Sequence, residues 1–245
     1  MKKILIKIAL VSLFAALLVP ATAFAKGPIV IKTLPYTISV PGNYTLAANL
    51  TYTANLVDAI TISASNVTLD MNGFGITGPA AHNGITVTGN GVEVRNGFIT
   101  GFYYGLHTSG IGTKALNLMI YDNWVGMFFN ISGYCAMIKG CIISGNYTDG
   151  IRSYASGIIT DNVVYNNVSL GIYANQSCVI GNSCYDNGTG IVAGAGCTVK
   201  NNSSCNNTCG IQTIGTVLLD GNAAYGNTNA NYSLSAETVP GHNTP

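Results

Sequence analysis

Acid, base and metal chemistry require titratable side chains, and this sequence holds few. Beyond residue 25 it carries seven Asp, two Glu, two Arg and three His. The one grouping that spacing brings together is His107, Asp149 and Arg152 with Tyr173. His107, Arg152 and Tyr173 each follow a recurring Gly by two positions, and Asp149 directly precedes Gly150. In a catalytic reading, Arg152 serves as base or anion clamp and Asp149 as a calcium ligand. The plainer reading is a solvated Arg and an Asp favoured by its turn. It is preferred, because calcium sites gather several carboxylates and only Asp149 and Asp122 can be assembled here.

An aromatic pattern is stronger. Tyr121, Tyr165, Tyr185 and Tyr225 each stand two residues before a recurring Asn, with Ser144 and Cys205 interrupting the series. Rings with a hydroxyl at the edge suit sugars, combining apolar contact with hydrogen bonding. These four tyrosines, with Tyr173, are the candidate carbohydrate-binding residues. Cross-strand packing competes as an explanation, since outward tyrosines also stabilise a sheet. Asp70, Asp161, Asp186 and Asp220 read as structural, the last three as turn residues.

The elements that must position these residues are repeats. Gly followed by an aliphatic residue recurs at Gly84, Gly105, Gly126, Gly150, Gly171, Gly190 and Gly210, at spacings of 21, 21, 24, 21, 19 and 20. Asn162, Asn182, Asn202 and Asn222 form a second series, and Asn167, Asn187, Asn207 and Asn227 a third, each with a spacing of 20. Between these corners the residues alternate with the strand period of two, and no convincing helical period occurs. Such units stack as coils of parallel strands about 4.8 Å apart, so eight coils give a rod of roughly 40 Å. Identical Asn side chains at one corner can bond amide to amide up the rod. Asn also tolerates the left-handed backbone that corners need.

These motifs resemble the right-handed parallel β-helix superfamily, which includes pectate lyases, polygalacturonases and NosD-like periplasmic repeat proteins. Asn66 to Gly78 is similar to their opening coil. Val179, Asn182, Cys184 and Asn187 before Gly190-Ile191 are similar to their generic repeat. The resemblance covers residues 59 to 230. It implies an all-β, single-stranded right-handed parallel β-helix of about eight coils, preceded by an N-terminal β cap over 26–58 and followed by a tail over 231–245. Lyases of this kind set carboxylates holding calcium beside an Arg or Lys base, and the hydrolases use close-set Asp residues with His. The hydrolase patterns Asn-Thr-Asp, Asp-Asp and Arg-Ile-Lys do not occur, and Gly241-His242 is only a fragment in the unpatterned tail.

Residues 1–25 read as a cleaved bacterial secretory signal. Lys2 and Lys3 precede the apolar run Ile4 to Val19, and Ala23-Phe24-Ala25 offers a site for cleavage between Ala25 and Lys26. The chain is therefore expected to be secreted or periplasmic, with no transmembrane span in its mature form. Without Lys2, Lys3 and Lys7 the ten Lys and Arg become seven against nine carboxylates. That balance excludes a nucleic-acid binder working through a basic face. The seven cysteines, from Cys135 to Cys209, allow disulfides in an exported protein. Buried free thiols explain them equally, since Cys184 falls inside a coil and Cys141 at an Asn corner. No Cys-x-x-Cys or His pair occurs, so no metal or other cofactor is expected; calcium enters only under the lyase reading. The expected partner is a polysaccharide or cell-surface glycan. Three functions follow in order: a non-catalytic polysaccharide-binding or surface protein, a polysaccharide lyase or glycoside hydrolase acting on an acidic polysaccharide, and a purely structural or assembly protein.

Overall fold

A computed structural model describes residues 27–245, except Asn55, Ile131 and Gly133. The expected signal segment lies outside the described residues. Every regular element among them is a strand, and every pairing between strands is parallel. No helix of the described residues is long and apolar enough to cross a membrane.

The chain winds as a solenoid with three faces. Sheet I holds ten strands, from Tyr36–Ile38 to Ala230–Ser233, one for each turn. Sheets II and III are joined round a corner into one 18-stranded sheet. The join is continuous at Glu93–Thr100 and Lys114–Tyr121, which run across both faces. Further along, the same corner breaks the path into two strands, as in Cys178–Ile180 and Ser183–Tyr185. The solenoid has ten turns where the repeat indicated about eight, because segments outside the sequence register also pair in parallel. Ile29–Ile31 joins Gly42–Leu46 at one end, and Val239–Pro240 joins Leu218–Asp220 at the other.

Alternation sets the core. The residue after each corner Gly points inward, so Ile85, Leu106, Met127, Ile151, Ile172, Ile191 and Ile211 stack along sheet I without solvent exposure. Matching columns rise on the other faces, for example Ile159, Val179, Val199 and Leu219 on sheet II. Each inward side chain packs on its equivalent one turn away, which is why type matters more at these positions than elsewhere in the repeat.

The Asn series form two buried ladders. Asn162, Asn182, Asn202 and Asn222 pass a bond from Nδ2 to Oδ1 up one corner at 2.9, 3.0 and 2.9 Å. Asn146, Asn167, Asn187, Asn207 and Asn227 do so at the other corner, at 2.8 to 3.1 Å. Each Oδ1 also accepts the backbone N–H of the preceding ladder residue, as from Asn167 to Asn187 at 3.1 Å. The left-handed backbone does not fall on these residues, contrary to the sequence expectation. It falls one position earlier, on Asp161, Gly181, Asn201 and Gly221 at one corner and on Asp122, Gly145, Asn166, Asp186, Asn206 and Gly226 at the other. The two tasks separate because a left-handed residue turns the chain while the next must aim its amide inward.

Candidate functional site

The predicted tyrosine series stands outward on sheet III. Register aligns Tyr121, Ser144, Tyr165, Tyr185, Cys205 and Tyr225 on consecutive turns. Tyr165 and Tyr185 stack with centroids 5.0 Å apart and planes inclined by 6°. Ser144 separates Tyr121 from them, and Tyr121 instead packs 6.3 Å from Phe98. Met119, Tyr121, Ser144 and Tyr165 line a shallow groove with Asp122 at its edge.

Sheet I carries the other predicted group. His107, Phe128, Arg152 and Tyr173 are register partners on four successive strands, as the positions two after each Gly required. Asp149 is brought to Arg152, but its side chain is fully buried. One carboxylate oxygen accepts the Arg152 Nε and Nη2, and the other accepts Leu170 N at 3.2 Å. Asp149 therefore anchors Arg152 on the face. These residues do not fit a calcium ion: both oxygens of the proposed ligand are engaged, and no three His, Cys, Asp or Glu side chains converge as ligands among the described residues. His107 packs against both Tyr104 at 5.4 Å and Phe128 at 5.5 Å, which also touch each other at 5.0 Å, and its Nδ1 is buried without a hydrogen-bond partner. Burial lowers the imidazole below its ordinary range, and the Asp58 carboxylate opposes that shift in part.

Sequence reasoning missed the residues that enlarge both groups. Tyr103, Trp124 and Tyr147 form an exposed column at the corner between sheets III and I, with centroids 6.2 Å apart at each step and near-parallel planes. Trp124 is 48% exposed and Tyr147 63%, so the column is accessible to a ligand. Tyr103 touches Tyr104 at 4.7 Å, and from there rings continue through Phe128 and Tyr154 to Tyr173 at 5.0 to 5.9 Å. The signal was present: Trp124 and Tyr147 directly follow the ladder residues Asn123 and Asn146. It was hidden because Phe102 fills the Asn slot before Tyr103.

The densest charge cluster lies elsewhere, on sheet II. Arg95 joins Asp70 at 2.9 Å and Glu93 at 2.7 Å. Partial burial raises the Asp70 pKa, but bonds from Asn72 N, Asn96 and Arg95 outweigh this and hold it below the usual value. The cluster is internally satisfied. All seven cysteines are free thiols: Cys141, Cys184, Cys197 and Cys209 are buried, Cys178 and Cys205 half-buried, and Cys135 exposed. Burial pushes the Cys141 thiol up to about 11 and the Cys184 thiol further, so neither is a nucleophile at neutral pH.

No family model matches the sequence, and no curated protein matches it. Solved structures do match the architecture. The Dettilon tailspike protein superposes with a TM-score of 0.59 at 14% identity, covering 88% of this chain and 60% of that one. Alginate lyase from a Paenibacillus species gives 0.57 at 16% identity, over 82% of this chain and 99% of the lyase. Tailspike protein 2 of bacteriophage CBA120 gives 0.59 at 13% identity, over 83% of this chain and 42% of that one. The fold is a right-handed parallel β-helix. This chain spans little more than half the length of the first tailspike and less than half of the second, and at these identities the likeness concerns the β-helix fold alone. On the central coils of this fold the chain carries an aromatic belt, formed by the corner column and the rings of sheet I.

Proposed function

We propose that the chain is an exported, non-catalytic polysaccharide-binding β-helix that holds a glycan on its aromatic belt. The observation that carries this reading is the run of rings from the exposed Tyr103, Trp124 and Tyr147 at the corner to the half-buried Tyr104, Phe128, Tyr154 and Tyr173 on sheet I. Rings held by a rigid solenoid lose little entropy on binding and offer flat apolar area to a pyranose face. The stacked pair Tyr165 and Tyr185 supplies a second platform on sheet III. The likeness to an alginate lyase among the structural neighbours supports a polysaccharide ligand by analogy. Export rests on the N-terminal signal pattern alone.

The test is retention of the purified chain on immobilised polysaccharides. Trp124→Ala and the double variant Tyr165→Ala with Tyr185→Ala are expected to weaken retention by about tenfold or more, with melting temperatures close to the parent's. Undiminished retention by both folded variants would remove the belt and the ladder as binding sites.

A second reading, a polysaccharide lyase or hydrolase, is favoured by one feature. Arg152 is clamped by Asp149 on a face that also carries Tyr173 and the protonated phenol of Tyr104, whose pKa burial raises. New unsaturated or reducing ends, lost in Arg152→Ala, would establish it. A purely structural rod would retain on no glycan.

A further inference from the structure

The charges around the belt bear on which glycan it takes. On the coils every Lys and Arg is already paired: Arg152 with Asp149, Lys139 with Asp161 at 3.9 Å, Lys200 with Asp220 at 3.3 Å, and Arg95 and Lys114 within the sheet II cluster. Among the described residues only Lys32, in the first turns, is a Lys or Arg without an ion pair. Carboxylates are distributed differently. Asp122 lines both the cleft with Trp124 and Tyr147 and the groove with Tyr121 and Tyr165. Burial raises the Tyr185 phenol most, and the neighbouring Tyr165 and Asp186 add to that shift. Neither carboxylate has an ion pair among the described residues.

Recognition of a uronate or sulfated chain depends on free guanidinium or ammonium groups that meet its anions, usually by charge-assisted hydrogen bonds. Here an acidic chain would find only Arg152, whose charge Asp149 already balances, and would lie against two uncompensated carboxylates, a like-charge arrangement that disfavours binding. Burial also keeps the His107 imidazole neutral near pH 7, so it supplies no cation. What remains suits hydroxyls and apolar sugar faces: ring stacking, plus the acceptors Asp122 and Asp186 and the exposed amide of Asn166 between them. We infer that the belt binds an uncharged glycan and discriminates against acidic ones. This rests on the glycan-binding reading above and narrows its substrate class.

The experiment compares retention of the full exported chain on neutral polysaccharides (a dextran, a mannan and a xylan) and on acidic ones (polygalacturonate and alginate). It is run at pH 8, at low and high salt, with and without EDTA. The expected result is retention on at least one neutral polymer, insensitive to salt and EDTA and about tenfold weaker in Trp124→Ala. Asp122→Asn, an isosteric change at an exposed corner, should then let the acidic polymers bind measurably better at low salt. Retention on an acidic polymer alone, reduced by Trp124→Ala, would overturn this inference while leaving glycan binding by the belt intact. Retention on no polymer of either set would overturn both.

Discussion

At His107 a single side chain couples the belt to pH. Its imidazole packs against Tyr104 and Phe128, and its folded pKa lies below the ordinary 6.5 because of burial. Between the folded and unfolded values the unfolded chain binds more protons, so stability rises with pH there. The contribution is complete above about pH 6.5 and is lost as the pH falls below it. His107→Phe keeps the ring stack and removes the titration. Melting temperatures measured from about pH 7 to pH 5 are expected to fall less in the variant than in the parent; equal slopes would show that His107 titrates normally in the fold. The other central side chains act through partners in the same way. Arg152 was legible as an outward residue from its spacing alone, but its immobilisation by a buried Asp149 was not, since spacing says nothing about which oxygen meets which nitrogen.

The corners are the elements on which everything else hangs. A ladder Asn in mid-rod is satisfied on all sides: Asn187 accepts from Asn167 N and Nδ2 and donates to Val164 O, Tyr185 O and Asn207 Oδ1, each at 3.0 to 3.1 Å. Asn187→Ala leaves buried donors and acceptors unpaired on both neighbouring turns and is expected to cost about 3 kcal/mol in urea unfolding. Asn227, half-buried near the end, should cost less than half as much when changed to Ala; equal costs would mean that the ladder is not cooperative with burial. The corner Gly belongs to the same device. A Cβ on Gly126 would lie 2.5 Å from Gly150 O and 3.0 Å from Asn146 Nδ2, so the ladder fits only where this corner position carries no side chain. The sequence displayed both series clearly. It concealed the division of labour between the left-handed residue and the ladder Asn, because Asn, Asp and Gly serve the first task and Asn also serves the second.

At the scale of the molecule the turns are nearly interchangeable. Contacts run from each turn to the next, so stability should follow the number of turns rather than a unique core. Deleting residues 183–202, one period of 20, joins Asn182 to Ser203 and keeps every column in phase. The shortened chain is expected to fold with an unchanged β spectrum and an m-value lower by about a tenth, since one turn of ten is lost. Deleting only 183–192 puts the inward columns out of phase and should abolish folding. A cooperative collapse in both deletions would argue against nearest-neighbour coupling.

By itself the sequence determined the parallel coil, its period, the inward columns and the outward tyrosine series. These follow from alternation and from identical residues recurring at one interval, and both are local properties of the chain. Only the tertiary structure decided the total of ten turns, the burial of Asp149 under Arg152, and the belt formed by Tyr103, Trp124 and Tyr147 with the rings of sheet I. The belt joins residues about 20 to 25 apart through the winding of the rod, with partners set by how each corner turns, and Asp149, only three positions from Arg152, is buried by its bond to Leu170 one turn on. The low charge of the chain took its meaning at the same level. With every Lys and Arg but Lys32 held by a carboxylate among the described residues, the open surface of the coils is left to aromatic rings and amides.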